Sequence, residues 1–429
     1  MENKINFPKL KKYTLFNILE YIPKDFLILN FQKIKSKRFF KYCMEIRRNS
    51  YLPNTQISKF VNKNYEAEHF IYSSCFSSSG NYFATGSRGN SATIYAVNPL
   101  YQDTYEKEIF KFYCLSEEDI NNMYKDITKE MNEDTKEVNH FDHREDGEEY
   151  PEKIINSINA VCFSYCEKYF ATGSSNNMVT IYGICQYNKE TYGKDIVKIS
   201  DHKGGISYID FQKVIYNDGR IYFATASKDI NVIIYCFEPL LKKATATKLL
   251  TINILTIGTV KSISFSCNNY IAIGGKDSKT YVYKLFLTND PNLCKQSLDL
   301  TLSKQNKAIT SVSYSNSGDL LATGSFDYSV TVYSMNTAYV DSYGKVLFKY
   351  NDHSGWISSL CFSNSEDYLI TAAWDGKAII YCLNPVNKDY YGKKLCNIDN
   401  LDTPILSVSY SEQGILSLGL LDEICLFYC

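Results

Sequence analysis

The chain has 429 residues, is 45% hydrophobic and carries a formal net charge of −1, so it can bury a large core, and its lack of basic balance excludes a general nucleic-acid-binding surface. No stretch approaches the ~20 apolar residues needed to cross a bilayer, and no secretory leader is expected at the N-terminus. The 14 Cys form no Cys-x-x-Cys pair, which points to reduced, packed cysteine in a cytoplasmic or nuclear protein.

In chain order, residues 1–50 come first and are basic, with 12 Lys/Arg against 4 Asp/Glu. Leu15, Ile18, Leu19 and Ile22 share one face at helical spacing. Pro23 opens a second segment with Phe26, Leu27, Leu29 and Ile34. Ser36 can cap a third that contains Phe39, Phe40 and Met44. The string LFNILEYIPKDFLILNFQKIKSKRFF resembles an F-box. That resemblance implies docking on the adaptor subunit of a cullin–RING ubiquitin ligase through Leu19, Ile22, Pro23 and Phe26. No Leu-Pro opens the motif, and Phe39-Phe40 stands where the family has Trp. The alternative is a plain helical extension that braces the rest of the chain.

Beyond residue 50 one phrase recurs seven times, opening on Ile71, Ile158, Ile206, Val260, Ile309, Ile357 and Ile405. The steps are 87, 48, 54, 49, 48 and 48 residues, so the unit is 48 residues and the first step carries 39 extra (87 − 48). Each unit alternates with period two, as in Ile309–Tyr314, then turns at Asn316-Ser317-Gly318-Asp319. A second strand is predicted over Leu320–Ser325, a third over Ser329–Ser334 and a fourth over Val346–Tyr350. The hairpins before the fourth strand repeat Tyr-Gly-Lys at 192–194, 343–345 and 391–393, where Gly supplies a positive φ.

Four antiparallel strands per unit cannot bury both faces alone, so the units must stack around an axis. Asp201-His202 and Asp352-His353 stand like the Gly-His pair of WD-repeat β-propellers. Asp229, Asp277, Asp327, Asp375 and Asp422 each lie six residues before a final aromatic, and Thr225, Thr323 and Thr371 match the strand hydroxyl of that family. Residues 57–429 resemble a WD-repeat propeller on these positions. The resemblance implies an all-β, seven-bladed propeller over 51–429 and a buried His–Thr–Asp–Trp tetrad in each blade. Tyr replaces the Trp throughout, at Tyr95, Tyr182, Tyr235, Tyr283, Tyr333, Tyr381 and Tyr428, so the tetrads are expected to be incomplete. Unit 7 lacks its own fourth strand, and 56–61 can supply it.

Residues 114–153, with 14 Asp/Glu against 5 Lys/Arg, form an acidic insert between blades 1 and 2. A capping box at Ser116–Asp119 precedes a short amphipathic run, and a solvated loop is the default reading. The run His140-Phe141-Asp142-His143 lacks a third ligand nearby, so no metal or cofactor is expected.

Two positions per blade are expected on the top face. The ring they form includes Phe70, Arg88, Lys228, Lys276, Phe326, Trp356, Trp374, Pro404 and Leu421. Both Trp of the chain fall in it, in the same blade, and Trp is a typical interface anchor. Alternatively, Trp356 packs on its own loop. Lys228 and Lys276 make a basic arc toward which the acidic insert can fold. No nucleophile elbow, P-loop or metal-ligand set occurs, and no Phe-Arg-Arg-Gly motif suggests phosphoinositide binding, so an enzyme or membrane role is not expected. The sequence reading is a protein-binding propeller that selects substrates for an SCF-type ubiquitin ligase, or else a WD-repeat scaffold with no ubiquitin link.

Overall fold

The computed structural model describes residues 57–60, 71–97, 108–113 and 157–428, except 241–243, 256, 289, 385, 387, 399–402, 412–413 and 421–423. The predicted helices of 1–50 and the acidic insert 114–153 lie outside these residues, as do Leu19, Ile22, Pro23 and Phe26. Among the described residues there is no α-helix, only one 3-10 turn at Pro291–Leu293.

The strands pair into seven four-stranded antiparallel sheets. The first strand of each sheet is the inner one: Ile71–Phe76, Ile158–Phe163, Ile206–Phe211, Val260–Phe265, Ile309–Tyr314, Ile357–Phe362 and Ile405–Tyr410 define blades 1 to 7. Each inner strand packs on the inner strand of the next blade, and that of blade 7 packs on that of blade 1, which closes the ring. Blade 7 draws its outer strand from the other end of the chain. Ile57–Phe60 pairs antiparallel with Ile424–Tyr428, with Ile57 opposite Phe427. This pairing covers an edge that would otherwise offer unpaired N–H and C=O groups.

The core lies between blades. In the second strand of blade 5, Leu320–Ser325, five consecutive residues are buried, because one sheet face meets the preceding blade and the other the following one. Tyr235, Tyr314, Tyr333 and Tyr381 are among the largest fully buried side chains. Gly324 shows how close the blades approach. A Cβ there would sit 2.4 Å from Ile357 Cγ2 in blade 6. The hairpin glycines Gly193, Gly344 and Gly392 all have φ of 73°, which suits the tight turn their sequence predicts.

Candidate protein-binding face

Antiparallel pairing places the start of each inner strand and the turn between the second and third strands at the same end of the sheet. These are the two positions chosen from the sequence, and a backbone hydrogen bond ties them in every fully described pair. The N–H groups of Lys228, Lys276, Phe326 and Trp374 donate to the carbonyls of Gly205, Thr259, Ala308 and Trp356, at 3.0, 3.2, 2.9 and 2.9 Å. Together they build a rim on one face of the ring.

The residue after each rim position fixes the turn. Asp229 accepts from the backbone N–H groups of Lys203 and Asn231, at 2.8 and 3.0 Å. Asp327 accepts from Asn306 N and Ser329 N at 2.7 and 3.0 Å. Asp375 accepts from Ser354 N and Lys377 N at 2.8 and 3.1 Å. Burial pushes the Asp375 carboxyl up, but the His353 hydrogen bond and the backbone donors outweigh it and hold the group at about 2. Asp229 is lowered in the same way: burial acts against the shift, and the Lys203 and Asn231 N–H groups and His202 produce it. Anionic turn residues thus hold Lys228, Phe326 and Trp374 in place.

Behind the rim, His202 Nδ1 lies 3.0 Å from Asp229 and its Nε2 lies 2.7 Å from Thr225 Oγ1. His353 repeats this with Asp375 at 3.1 Å and Thr371 at 2.9 Å. With Nδ1–H donating to the carboxylate, Nε2 is free to accept from the threonine hydroxyl. Burial, against the pull of Asp229, lowers the His202 pKa. The tyrosine hydroxyl, expected to lie elsewhere than an indole N–H, takes a partner that the family tetrad does not use. Tyr235 donates to Asp201 at 3.1 Å, and Tyr381 donates to Asp352 at 3.2 Å. The Asp that precedes each His accepts the phenolic O–H hydrogen bond, a partner different from the one the family's Trp would have.

Blade 5 has a network that sequence matching missed. Gln305 stands 48 residues before His353 and takes the histidine's place. It accepts from Thr323 Oγ1 at 2.8 Å and donates to the carbonyls of Thr323 and Ser329, both at 3.1 Å. The 48-residue spacing was the available signal, but an amide does not look like an imidazole in a string of letters.

These frames present an aromatic cluster. The Phe326 and Trp356 ring centroids lie 4.9 Å apart, and those of Trp356 and Trp374 lie 5.4 Å apart. Trp356 therefore does pack on its own blade, through Trp374, but it also bridges to blade 5. The two Trp residues are nonetheless 41% and 46% exposed. Two packed, partly exposed Trp side chains are a hydrophobic surface that also carries N–H donors.

The rest of the predicted ring is less united. Pro404 and Arg88 are half-buried on blades 7 and 1, and Lys228 and Lys276 are exposed on blades 3 and 4. Phe70 and Leu421 lie outside the described residues, so the apolar arc is seen here only on blades 5 and 6, with Pro404 on blade 7.

A family model described as "WD domain, G-beta repeat" matches residues 60–95, 153–182, 296–334 and 344–382. The last two matches each begin on the outer strand of one blade and run through the three inner strands of the next. No curated protein matches the chain.

Proposed function

Starting from a chain that carries WD40 repeats in a propeller arrangement of sheets, we propose that it is a non-enzymatic protein-binding module whose rim anchors its partner at Trp356 and Trp374. One observation carries this reading: the Phe326–Trp356–Trp374 cluster is framed by hydrogen-bonded turns, yet each Trp residue is two-fifths or more exposed. Burying such indoles contributes about 25 cal/mol for each Å² removed from water, and Trp is enriched among residues that dominate interfaces. Capture of partners from cell extract by the parent protein and by a Trp356→Ala/Trp374→Ala variant, compared by quantitative mass spectrometry, tests the reading. Partners lost in the variant, with its melting temperature unchanged, support the site. An identical partner set places binding elsewhere.

Within this reading the chain acts as the substrate receptor of an SCF-type ubiquitin ligase. What supports it is the F-box-like string in residues 1–50, ahead of a binding propeller. Co-purification with a recombinant ligase adaptor subunit, lost in a Leu19→Asp/Phe26→Asp variant, is the expected result. Failure of the parent to capture the adaptor would leave a WD40 scaffold without a ubiquitin link.

A further inference from the structure

The face opposite the tryptophan rim has a pattern of its own. There the third and fourth strands of blades 2 to 6 are joined by hairpins at 184–194, 239–244, 287–294, 335–345 and 383–393. Every one of them turns a large hydrophobic residue outward: Tyr187, Leu240, Leu293, Tyr339 with Val340, and Val386, each 60% exposed or more. Among the described residues only two other large hydrophobic side chains are as exposed. Ile215 lies in the first turn of blade 3, on the same face, and Leu255 lies near the rim.

The hairpins are held in shape from within. Asn188, Asp290, Asn336 and Asn384 each accept, through a side-chain oxygen, from the backbone N–H two residues on, at 3.2, 2.9, 2.9 and 2.9 Å. Two of the hairpins are also pinned to the preceding blade. Tyr192 packs edge-on against Phe110 of blade 1, with centroids 4.9 Å apart, and Tyr391 does the same against Phe348 of blade 5 at 5.0 Å. A hydrophobic residue exposed singly needs no explanation. One at the same place on five successive blades is a pattern of the fold.

Placement and charge say what sort of partner fits. The tips join the two outer strands of each blade, so they stand around the edge of a ring and spread over a plane rather than merging into one patch. A globular partner with an ordinary footprint, about 800 Å² on each side, covers only some of them. A bilayer surface meets them all. The five hairpins hold seven Lys and no Arg against four Asp/Glu, in a chain whose net charge is −1. The chain also enters the ring on this face, because Ile57 pairs with Phe427, next to the last residue of the third strand of blade 7. The fifty residues at the N-terminus add 12 Lys/Arg against 4 Asp/Glu. Apolar tips set among lysines suit the boundary between headgroups and acyl chains of an anionic leaflet.

We propose that this face docks flat on an anionic bilayer, with the hairpin tips of blades 2 to 6 entering the headgroup layer and the hairpin lysines meeting the lipid charges. The inference goes beyond the protein-binding reading and does not rest on it. Docked this way, the propeller turns Trp356 and Trp374 away from the membrane and leaves them open to a protein partner. It reverses the expectation of no membrane role, which came from the missing phosphoinositide motif. A contact made by exposed tips and point charges needs no headgroup pocket.

The test is sedimentation of the full chain with vesicles of phosphatidylcholine alone and of phosphatidylcholine mixed with phosphatidylserine. The parent is expected to bind the mixed vesicles at least tenfold more tightly, with affinity falling as salt rises. Tyr187→Ser/Leu240→Ser/Val340→Ser/Val386→Ser keeps every charge and should weaken that binding at least tenfold at an unchanged melting temperature. Tyr187→Ser/Val386→Ser, which alters only the two most exposed tips, should show part of the same loss. Trp356→Ala/Trp374→Ala should bind vesicles as the parent does, so the two faces are read separately. Equal binding to both kinds of vesicle overturns the inference. So does full binding by the four-tip variant, since charge alone, including that of residues 1–50, would then be acting. Loss of protein partners rather than of vesicles in the four-tip variant would also overturn it and assign the face to a protein.

Discussion

Asp210 sits on the inner strand of blade 3, where blades 4 and 5 have Ser264 and Ser313 and blades 1, 2 and 6 have Cys75, Cys162 and Cys361. Its Oδ2 accepts from Phe265 N at 2.7 Å, and Lys213 is the cation that favours its charge. Lys213 is itself engaged, donating to Asn316 Oδ1 at 2.9 Å. Burial dominates and pushes the carboxyl from 3.8 to about 6. A folded-state value above the unfolded one means that the folded protein holds its proton more tightly. The associated stability is therefore present in full below pH 4 and is lost as pH rises through 6. At about 1.4 kcal/mol per tenfold change, the charged form at neutral pH costs about 3 kcal/mol. Asp210→Asn keeps the acceptor for Phe265 N and cannot ionise. It should match the parent at pH 4 and exceed it by about 2–3 kcal/mol at pH 7.5, read as the difference between paired urea denaturation curves across that range. Taking the difference cancels every other group that titrates there. A gap that does not change with pH, or a variant weaker than the parent at pH 7.5, would refute the argument.

Three further outcomes follow from the contacts between and within blades. Tyr381→Phe should cost about 1–2 kcal/mol, since it removes a hydrogen bond to a charged acceptor, and should cost much less in an Asp352→Ala background; thermal denaturation of the double-mutant cycle reads the coupling. Glu366 has φ of 62° and braces Ser317 of blade 5 through its backbone N–H and its hydroxyl, the latter at 2.8 Å. Glu366→Ala loses the brace and keeps the strain, whereas Glu366→Gly loses the brace and relieves it, so Gly should be the milder by about 1 kcal/mol in urea denaturation. Gly324→Ala would drive a methyl into Ile357 Cγ2 and should lower stability by about 1–3 kcal/mol, and the added cost should shrink in an Ile357→Ala background, which removes that methyl, in the same assay.

The start of each inner strand was readable from the sequence because a 48-residue period fixes a register that no single propensity could. Ile71, Ile158, Ile206, Val260, Ile309, Ile357 and Ile405 each open the strand expected of them. The closing strand was also readable, since unit 7 ran out of chain while 56–61 matched nothing else. Contacts between side chains far apart in sequence were not readable, within a unit or between units. Tyr235 finds Asp201 only because the volume left by an absent Trp and the carboxylate of an unusual Asp-His pair meet in space. Glu167 and Glu366 sit in turns where four other blades have Gly80, Gly219, Gly318 and Gly414, and each reaches serines of the preceding blade. In sequence they look like ordinary surface acids. The rim was half readable: the repeat positions named Trp356 and Trp374, but not the Gln305 network of blade 5.

The pairing of Ile57–Phe60 with Ile424–Tyr428 also sets a clock. On a ribosome, residue 57 emerges about 370 residues before its partner, Phe427, which at about 5–20 residues per second is a wait of roughly 20–70 s. Over that time blades 1 to 6 can stack in turn as they emerge, but the ring stays open, with the inner strand of blade 1 still without its neighbour from blade 7. The nascent chain therefore passes through a long-lived arc with one raw end, a form that a chaperone can hold and a competing β-strand can invade. Shielding of that end during synthesis would favour closure of the ring over misassembly.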